Sequence, residues 1–200
     1  MTSAQALQDT PPQNSPEVEA AYEAAPEDTT AEILDGELFV LPRPGRPHTR
    51  RASRLTMVLG GPFDLGVGGP GGWVILDEPE VHLGLGPDKC QPDLAGWRRE
   101  RMPDALGEPG EPAHYELAPD WICEVLSPRT EPNDRGRKMR IYRREGVAHY
   151  WLLNPVQRTL EVYRLESARY ALIDTHEGDV LVRAEPFEAL DLDLAMVWAR

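Results

Sequence analysis

Lysine is nearly absent from this 200-residue chain: of its 21 basic residues, only Lys89 and Lys138 are lysines, and the other 19 are arginines. Chemistry that needs a compact ammonium rather than a guanidinium therefore has two candidates. Cysteine is equally scarce. Cys90 and Cys123 form no CxxC pair and have no ligand-spaced histidine nearby, which argues against a zinc ribbon and a disulfide framework and for buried thiols in a reducing compartment. No apolar run approaches the ~20 residues of a membrane span, and the N-terminus lacks the basic start and apolar core of a secretory signal. A cytoplasmic chain with no membrane partner is expected. The five histidines (His48, His82, His114, His149, His176) show no metal-ligand spacing in the sequence. Ser127 lacks a Gly-x-Ser-x-Gly elbow, and the glycine-rich GVGGPGGW lacks the Gly-Lys-Ser/Thr ending of a phosphate loop.

Positive charge is also missing from the beginning. The first basic residue is Arg43, and nine acidic residues precede it, so the net charge of −13 falls to −4 over the remaining 158 residues. Within that remainder RPGRPHTRRASR (43–54) carries five arginines and no acid, and SPRTEPNDRGRKMRIYRRE (127–145) carries seven basic residues against three acidic ones. Local basic surfaces that would meet a polyanion are therefore compatible with an acidic chain. Residues 1–30, rich in Pro, Ala, Gln, Glu and Thr without apolar periodicity, are expected to be a disordered acidic tail, and residues 31–200 to be one domain.

Along that domain, EILDGELFVLP alternates around Asp35-Gly36, a dipeptide that favours the type I′ turn, and predicts a β-hairpin. Ala52, Leu55, Val58 and Leu59 stand at helical spacing before Gly60-Gly61, which predicts an amphipathic helix over 47–59. WVILDEPEVHLGLG predicts two short strands broken at Pro79, CQPDLAGW another, and residues 100–118 a long surface loop. WICEVL is a strand, followed by a helix starting near Asn133 or Asp134 and ending at Gly146. HYWLLN, LEVYRLE and RYALID extend the sheet, and LDLAMVW closes the chain. The predicted architecture is α/β (α+β): a mixed central sheet flanked by helices, with an N-terminal hairpin and additional C-terminal strands.

One strand carries a residue that does not belong in a core. Side chains alternate along WICEVL, so Ile122, Glu124 and Leu126 share one face and Trp121, Cys123 and Val125 the other. A carboxylate between two aliphatic neighbours needs compensation, because an unpaired buried charge costs several kcal/mol. Asp93 in QPDLAGW occupies a similar place on another strand. If the two strands pair, ~4.8 Å apart, both carboxylates can converge on one ion. Mg²⁺, which takes oxygen ligands from one or two carboxylates plus waters, fits such a pair, with Mn²⁺ as a substitute.

QPDLAGW followed some 30 residues later by CEVLSP resembles the PD-(D/E)XK arrangement of restriction endonuclease-like nucleases. EILDGELFVLPRPGRPH, GGWVILDEPEVHLG, QPDLAGWRRERMP and PDWICEVLSPRTEPNDRGRKMRIYRREGVAHYWLLNPVQRTLEVYRL together resemble the bacterial Uma-type family within that superfamily, over residues 32–198. The resemblance implies a restriction endonuclease-like fold, Asp93 and Glu124 as metal ligands, and hydrolysis of DNA phosphodiesters by a metal-activated water. It departs from the superfamily at the lysine, whose place two residues after the glutamate is held by Leu126. Lys138 is the candidate substitute: it lies on the helix after the Glu124 strand and shares a face with Ile141, Tyr142 and Glu145.

Glu37 and His48 are further candidates, as an outer ligand and a phosphate contact, and Glu80 is a weaker candidate ligand. Arg50, Arg51, Arg135 and Arg137 are expected to grip the DNA backbone. Two centres in a homodimer would serve the two strands of a duplex, an expectation from fold-level analogy. The competing reading, motivated by Leu126 and the acidic total, is a catalytically inactive nuclease-fold module for DNA binding or protein assembly.

Overall fold

The computed structural model describes residues 13–84, 86–102 and 112–199. Helix α1 (Pro16–Glu23) comes first, capped by the Ser15 side chain, which accepts from the Val18 amide. Strands β1 (Thr29–Leu34) and β2 (Glu37–Pro42) form the expected hairpin, with Asp35 and Gly36 both at positive φ as a type I′ turn requires. Helix α2 (Arg46–Leu59) runs on into a π turn over Gly60–Asp64.

Strands β3 (Trp73–Asp77), β4 (Val81–Leu83), β5 (Asp88–Cys90), β6 (Leu94–Arg98) and β7 (Trp121–Val125) follow. Helix α3 is continuous from Glu131–Asn133 through a π turn at Asp134–Lys138 to Met139–Arg144. The chain ends with β8 (His149–Asn154), β9 (Thr159–Glu166), β10 (Arg169–Glu177), the short pair β11 (Leu181–Val182) and β12 (Leu192–Asp193), and helix α4 (Leu194–Trp198).

The main sheet has the order β10-β9-β8-β7-β6-β3, and only β7 and β8 pair in parallel. A parallel neighbour cannot be reached by a tight turn, and α3 is the crossover between them. A smaller sheet, β2-β1-β5-β4, is antiparallel throughout. The break at Pro79 thus divides two strands that belong to different sheets.

Alternation along β7 divides the core as its sequence pattern requires. Trp121, Cys123 and Val125 enter one apolar cluster with Leu55 and Leu59 of α2 and Val197 and Trp198 of α4. Ile122 and Leu126 enter the other, with Ile141 and Tyr142 of α3 and Val81 and Leu83 of β4. In the first cluster the Phe187 ring lies 4.9 Å from both Trp73 and Trp121 and 5.6 Å from Trp151. Gly96 lies beneath two of these indoles, and a Cβ there would come within 3.1 Å of Trp121 and 3.3 Å of Trp73.

The expected tail 1–30 differs from what is observed, insofar as the described residues reach. Residues 1–12 lie outside them, whereas 13–30 belong to the fold. No side chain of α1 is buried, which is why hydropathy gives no sign of it. Polar contacts from distant residues hold it instead: Lys89 Nζ donates to Glu19 Oε2 at 2.7 Å and Tyr22 donates to Glu80 Oε1 at 2.8 Å. Of the expected loop 100–118, residues 103–111 lie outside the described residues, and Tyr115 forms a β-bridge with Val81. No helix among the described residues is long and apolar enough to cross a membrane.

Candidate active site

Strands β6 and β7 pair antiparallel with Leu94 opposite Cys123, so the next step of the register sets Asp93 beside Glu124. The two residues are tied reciprocally: the Asp93 amide donates to Glu124 Oε2 at 3.4 Å, and the Val125 amide donates to Asp93 Oδ2 at 2.7 Å. Both carboxylates face a cavity of about 780 Å³ between the two sheets, where Glu32 of β1, His48 of α2 and Asp134 and Lys138 of α3 also appear.

Lys138 reaches the strand carboxylate from the helix. Its Nζ lies 3.1 Å from Glu124 Oε1, 2.8 Å from Glu32 Oε1 and 3.6 Å from Asp134 Oδ1, and the side chain is only 5 % exposed. Tyr142, one turn further along, donates to the same Glu124 oxygen at 2.8 Å. The π turn runs from Asp134 to Lys138 and both residues are buried, so this widened segment of helix faces the cavity. Leu126, in the position where the superfamily pattern has its lysine, packs into the apolar cluster on the same sheet face.

The charge balance of this site is uneven. Four buried carboxylates (Glu32, Asp93, Glu124, Asp134) meet one buried ammonium, with His48 Nε2 3.1 Å from Asp93 Oδ2 as a further partner. Burial drives the Glu124 carboxyl well above its ordinary value against the pull of Lys138. Burial also raises Asp134 to about 6. Burial alone would lower Lys138, but the charges of Glu124, Glu32 and Asp134 hold it well above the usual lysine value. For His48, too, burial opposes protonation, but the hydrogen bond that the ring donates to the Asp93 carboxylate, with that group's charge, overcomes it and raises the ring's pKa.

Asp134 Oδ1 is buried with no hydrogen-bond partner. A set of carboxylate donors with surplus negative charge, in which Asp134 Oδ1 makes no hydrogen bond and only a 3.6 Å ion pair with Lys138, fits a hard divalent cation such as Mg²⁺. Asp93 and Glu124 are the residues that would hold it, with Asp134 adjacent.

The other expected site residues are dispersed. Glu37 does not line the cavity: the hairpin turn carries it to the surface, where it pairs with Arg137 at 2.7 Å. Glu80 is also outside, fixed on the far side of the small sheet by His82 at 2.6 Å and by Tyr22. The His82 hydrogen bond lowers its carboxyl to about 2. Arg135 makes a bidentate contact with Glu161 and a further bond to Glu131, and Arg137 lies over the Phe39 ring. Arg51 donates to the carbonyl of Ala199 at 3.0 Å and ties α2 to the chain end, while Arg50 lines a shallow groove on the outer face of α2. The arginines that line the cavity itself are Arg43 and Arg129.

Two site carboxylates escaped the reading of the sequence. Glu32 is one of the nine acidic residues that precede Arg43, and it stands between Ala31 and Ile33 as Glu124 stands between Cys123 and Val125. Its Oε1 accepts from the Gln91 amide at 2.9 Å. Asp134, which the sequence pattern sets at the beginning of a helix, lies inside it and faces inward, because the helix starts a turn earlier at Glu131-Pro132.

The mixed sheet, its crossover helix and two strand carboxylates with a lysine define a restriction endonuclease-like fold. The chain belongs to the Uma2 family, described as "Putative restriction endonuclease", which matches residues 17–196. A solved structure titled as a putative nuclease belonging to DUF820, from Anabaena variabilis, is similar with a TM-score of 0.68 and 23% sequence identity, covering 88% of this chain and 92% of that one. No curated protein matches.

Proposed function

We propose that the chain is a metal-dependent endodeoxyribonuclease, with Asp93, Glu124 and Lys138 as its catalytic residues. Membership in a family described as "Putative restriction endonuclease" supports a nuclease. The observation that carries the reading is the meeting of two adjacent-strand carboxylates with an ammonium 3.1 Å from Glu124 in one cavity. A bound Mg²⁺, or Mn²⁺ in its place, would supply a water of lowered pKa and positive charge against the phosphoryl oxygen.

The residues of the chain do the rest. Asp93 and Glu124 are held in place by backbone amides, so the donors need little reorganisation when an ion arrives. Lys138, fixed by Glu32 and Glu124, presents fixed positive charge to the attacking water and to the developing charge on the phosphate. His48, held by Asp93, serves as a phosphate contact, and Arg43 and Arg129, which line the same cavity, engage neighbouring phosphates of the strand. With an ammonium already beside Glu124, Leu126 no longer argues for the inactive-module alternative. Incubation of the purified chain with supercoiled plasmid tests the reading. Nicked or linear product that depends on Mg²⁺ or Mn²⁺ and is lost in Asp93→Asn and Glu124→Gln is expected; intact plasmid with every metal, alongside retained DNA binding, would favour the non-catalytic module.

A further inference from the structure

Glu80, His82 and His114 offer three ligand atoms that all lie within 4.8 Å of one another, outside the carboxylate cavity. They come together through tertiary structure. The segment around Tyr115 runs parallel to β4, with His82 N donating to Tyr115 O at 2.9 Å and Tyr115 N donating to Glu80 O at 2.9 Å. This pairing stacks the two imidazoles with centroids 3.6 Å apart and planes inclined by 11°.

We propose that these residues form a second metal site, selective for a Zn²⁺-class cation. Two imidazole nitrogens and a carboxylate oxygen are the donors Zn²⁺, Co²⁺ and Ni²⁺ take, whereas Mg²⁺ prefers the all-oxygen cavity. Tetrahedral coordination at ~2.0–2.2 Å places ligand atoms roughly 3.3 Å apart, so the cluster closes on an ion through side-chain rotations that unstack the two rings and turn their in-plane nitrogens towards it. The Tyr22 hydroxyl, donating to Glu80 Oε1 at 2.8 Å, orients the carboxylate from α1, as outer partners orient metal ligands elsewhere. The side chains are partly accessible, which gives an ion entry and leaves water to complete the shell. Glu116, 3.8 Å from His114, adds negative charge nearby. The bound ion would reinforce the existing link between the segment carrying His114 and β4 and, through Tyr22, the link to α1.

Co²⁺ titration of the full chain, stripped of metal with chelator and followed by visible absorption, tests the proposal. One equivalent should produce a d–d spectrum that persists in the Asp93→Asn/Glu124→Gln double variant, disappears in His82→Gln and in His114→Gln, and is displaced by Zn²⁺ but not by excess Mg²⁺. Should a histidine variant fail to fold, the wild-type chain still decides: Zn²⁺ should protect His82 and His114, and not His149, from diethyl pyrocarbonate, read by peptide mass spectrometry. No spectral change in the wild type, a spectrum lost in the double variant instead, or undiminished modification of His82 and His114 would each overturn it.

Discussion

Lys138 donates to Glu124 at 3.1 Å although the two are 14 residues apart, one on a central strand and the other on the helix that follows it. The ammonium expected two residues after the glutamate is delivered to the same carboxylate by a crossover helix. If this contact is functional, Lys138→Ala should lower the cleavage rate by about 100- to 1,000-fold, the usual cost of losing one preorganised electrostatic group. Lys138→Arg should not restore it, since a planar guanidinium cannot replace a compact ammonium held by three carboxylates. Single-turnover kinetics with both variants, alongside circular dichroism to check folding, measure this.

The carboxylate cluster gives stability a definite pH dependence. Burial raises Asp134 to about 6 and raises Glu124 in the same direction. Between their unfolded and folded values the folded chain binds more protons than the unfolded one, so stability falls as pH rises, fully present near about pH 4 and lost as pH passes through about 6 and beyond. Asp134→Asn removes one of these ionisations. Without added metal its Tm should exceed that of the wild type at about pH 8, and the gap should narrow towards about pH 5. A gap independent of pH would show that Asp134 carries no unfavourable charge.

Divalent metal should relieve the same surplus of negative charge. Mg²⁺ at about 100 times its dissociation constant would stabilise the wild type by about 2.7 kcal/mol, or several degrees in Tm. The shift should shrink strongly in Asp93→Asn and Glu124→Gln, as read by thermal denaturation with and without Mg²⁺. An equal shift in all three would place the ion elsewhere.

Arg43 and Arg129 line the cavity, Arg43 with an exposed ion pair to Glu78 and a bond to the Glu27 carbonyl, whereas Arg135 and Arg137 lie outside it and are engaged with Glu161 and Glu37. Removing Arg129 or Arg43 should weaken DNA binding alike for all sequences and lower the salt slope by about 1 each. Fluorescence anisotropy across a salt series would show this, and an unchanged slope would remove these arginines from the phosphate path.

Packing makes its own prediction. Gly96→Ala pushes a Cβ to 3.1 Å from Trp121, into rings already wedged against Phe187. Overpacking of this kind costs about 1–3 kcal/mol. Chemical denaturation should register it, and a neutral result would mean the tryptophan layer yields more than its contacts suggest.

Much of this was legible in the sequence because period and turn chemistry act locally. Asp35-Gly36 announced the hairpin, the alternation in WICEVL separated two core faces, and the aliphatic setting of Glu124 marked a site. Lys138 could be placed because only two lysines exist and one lies on the half-apolar face of the next helix. What was hidden depends on partners distant in the chain. Helix α1 is held by Lys89 and Glu80, so its hydropathy carries no signal. Glu32 becomes a site residue only when β1 is laid against β5 and Gln91. His82 and His114 meet through a bridge between Val81 and Tyr115 that no local spacing encodes.

The most direct measurement of the central claim is the Mg²⁺-dependent cleavage rate of duplex DNA under enzyme excess, compared between the wild type and Lys138→Ala at matched DNA occupancy. The account predicts product formation by the wild type and a rate at least about 100-fold lower for the variant. Cleavage by Lys138→Ala at the wild-type rate would contradict it.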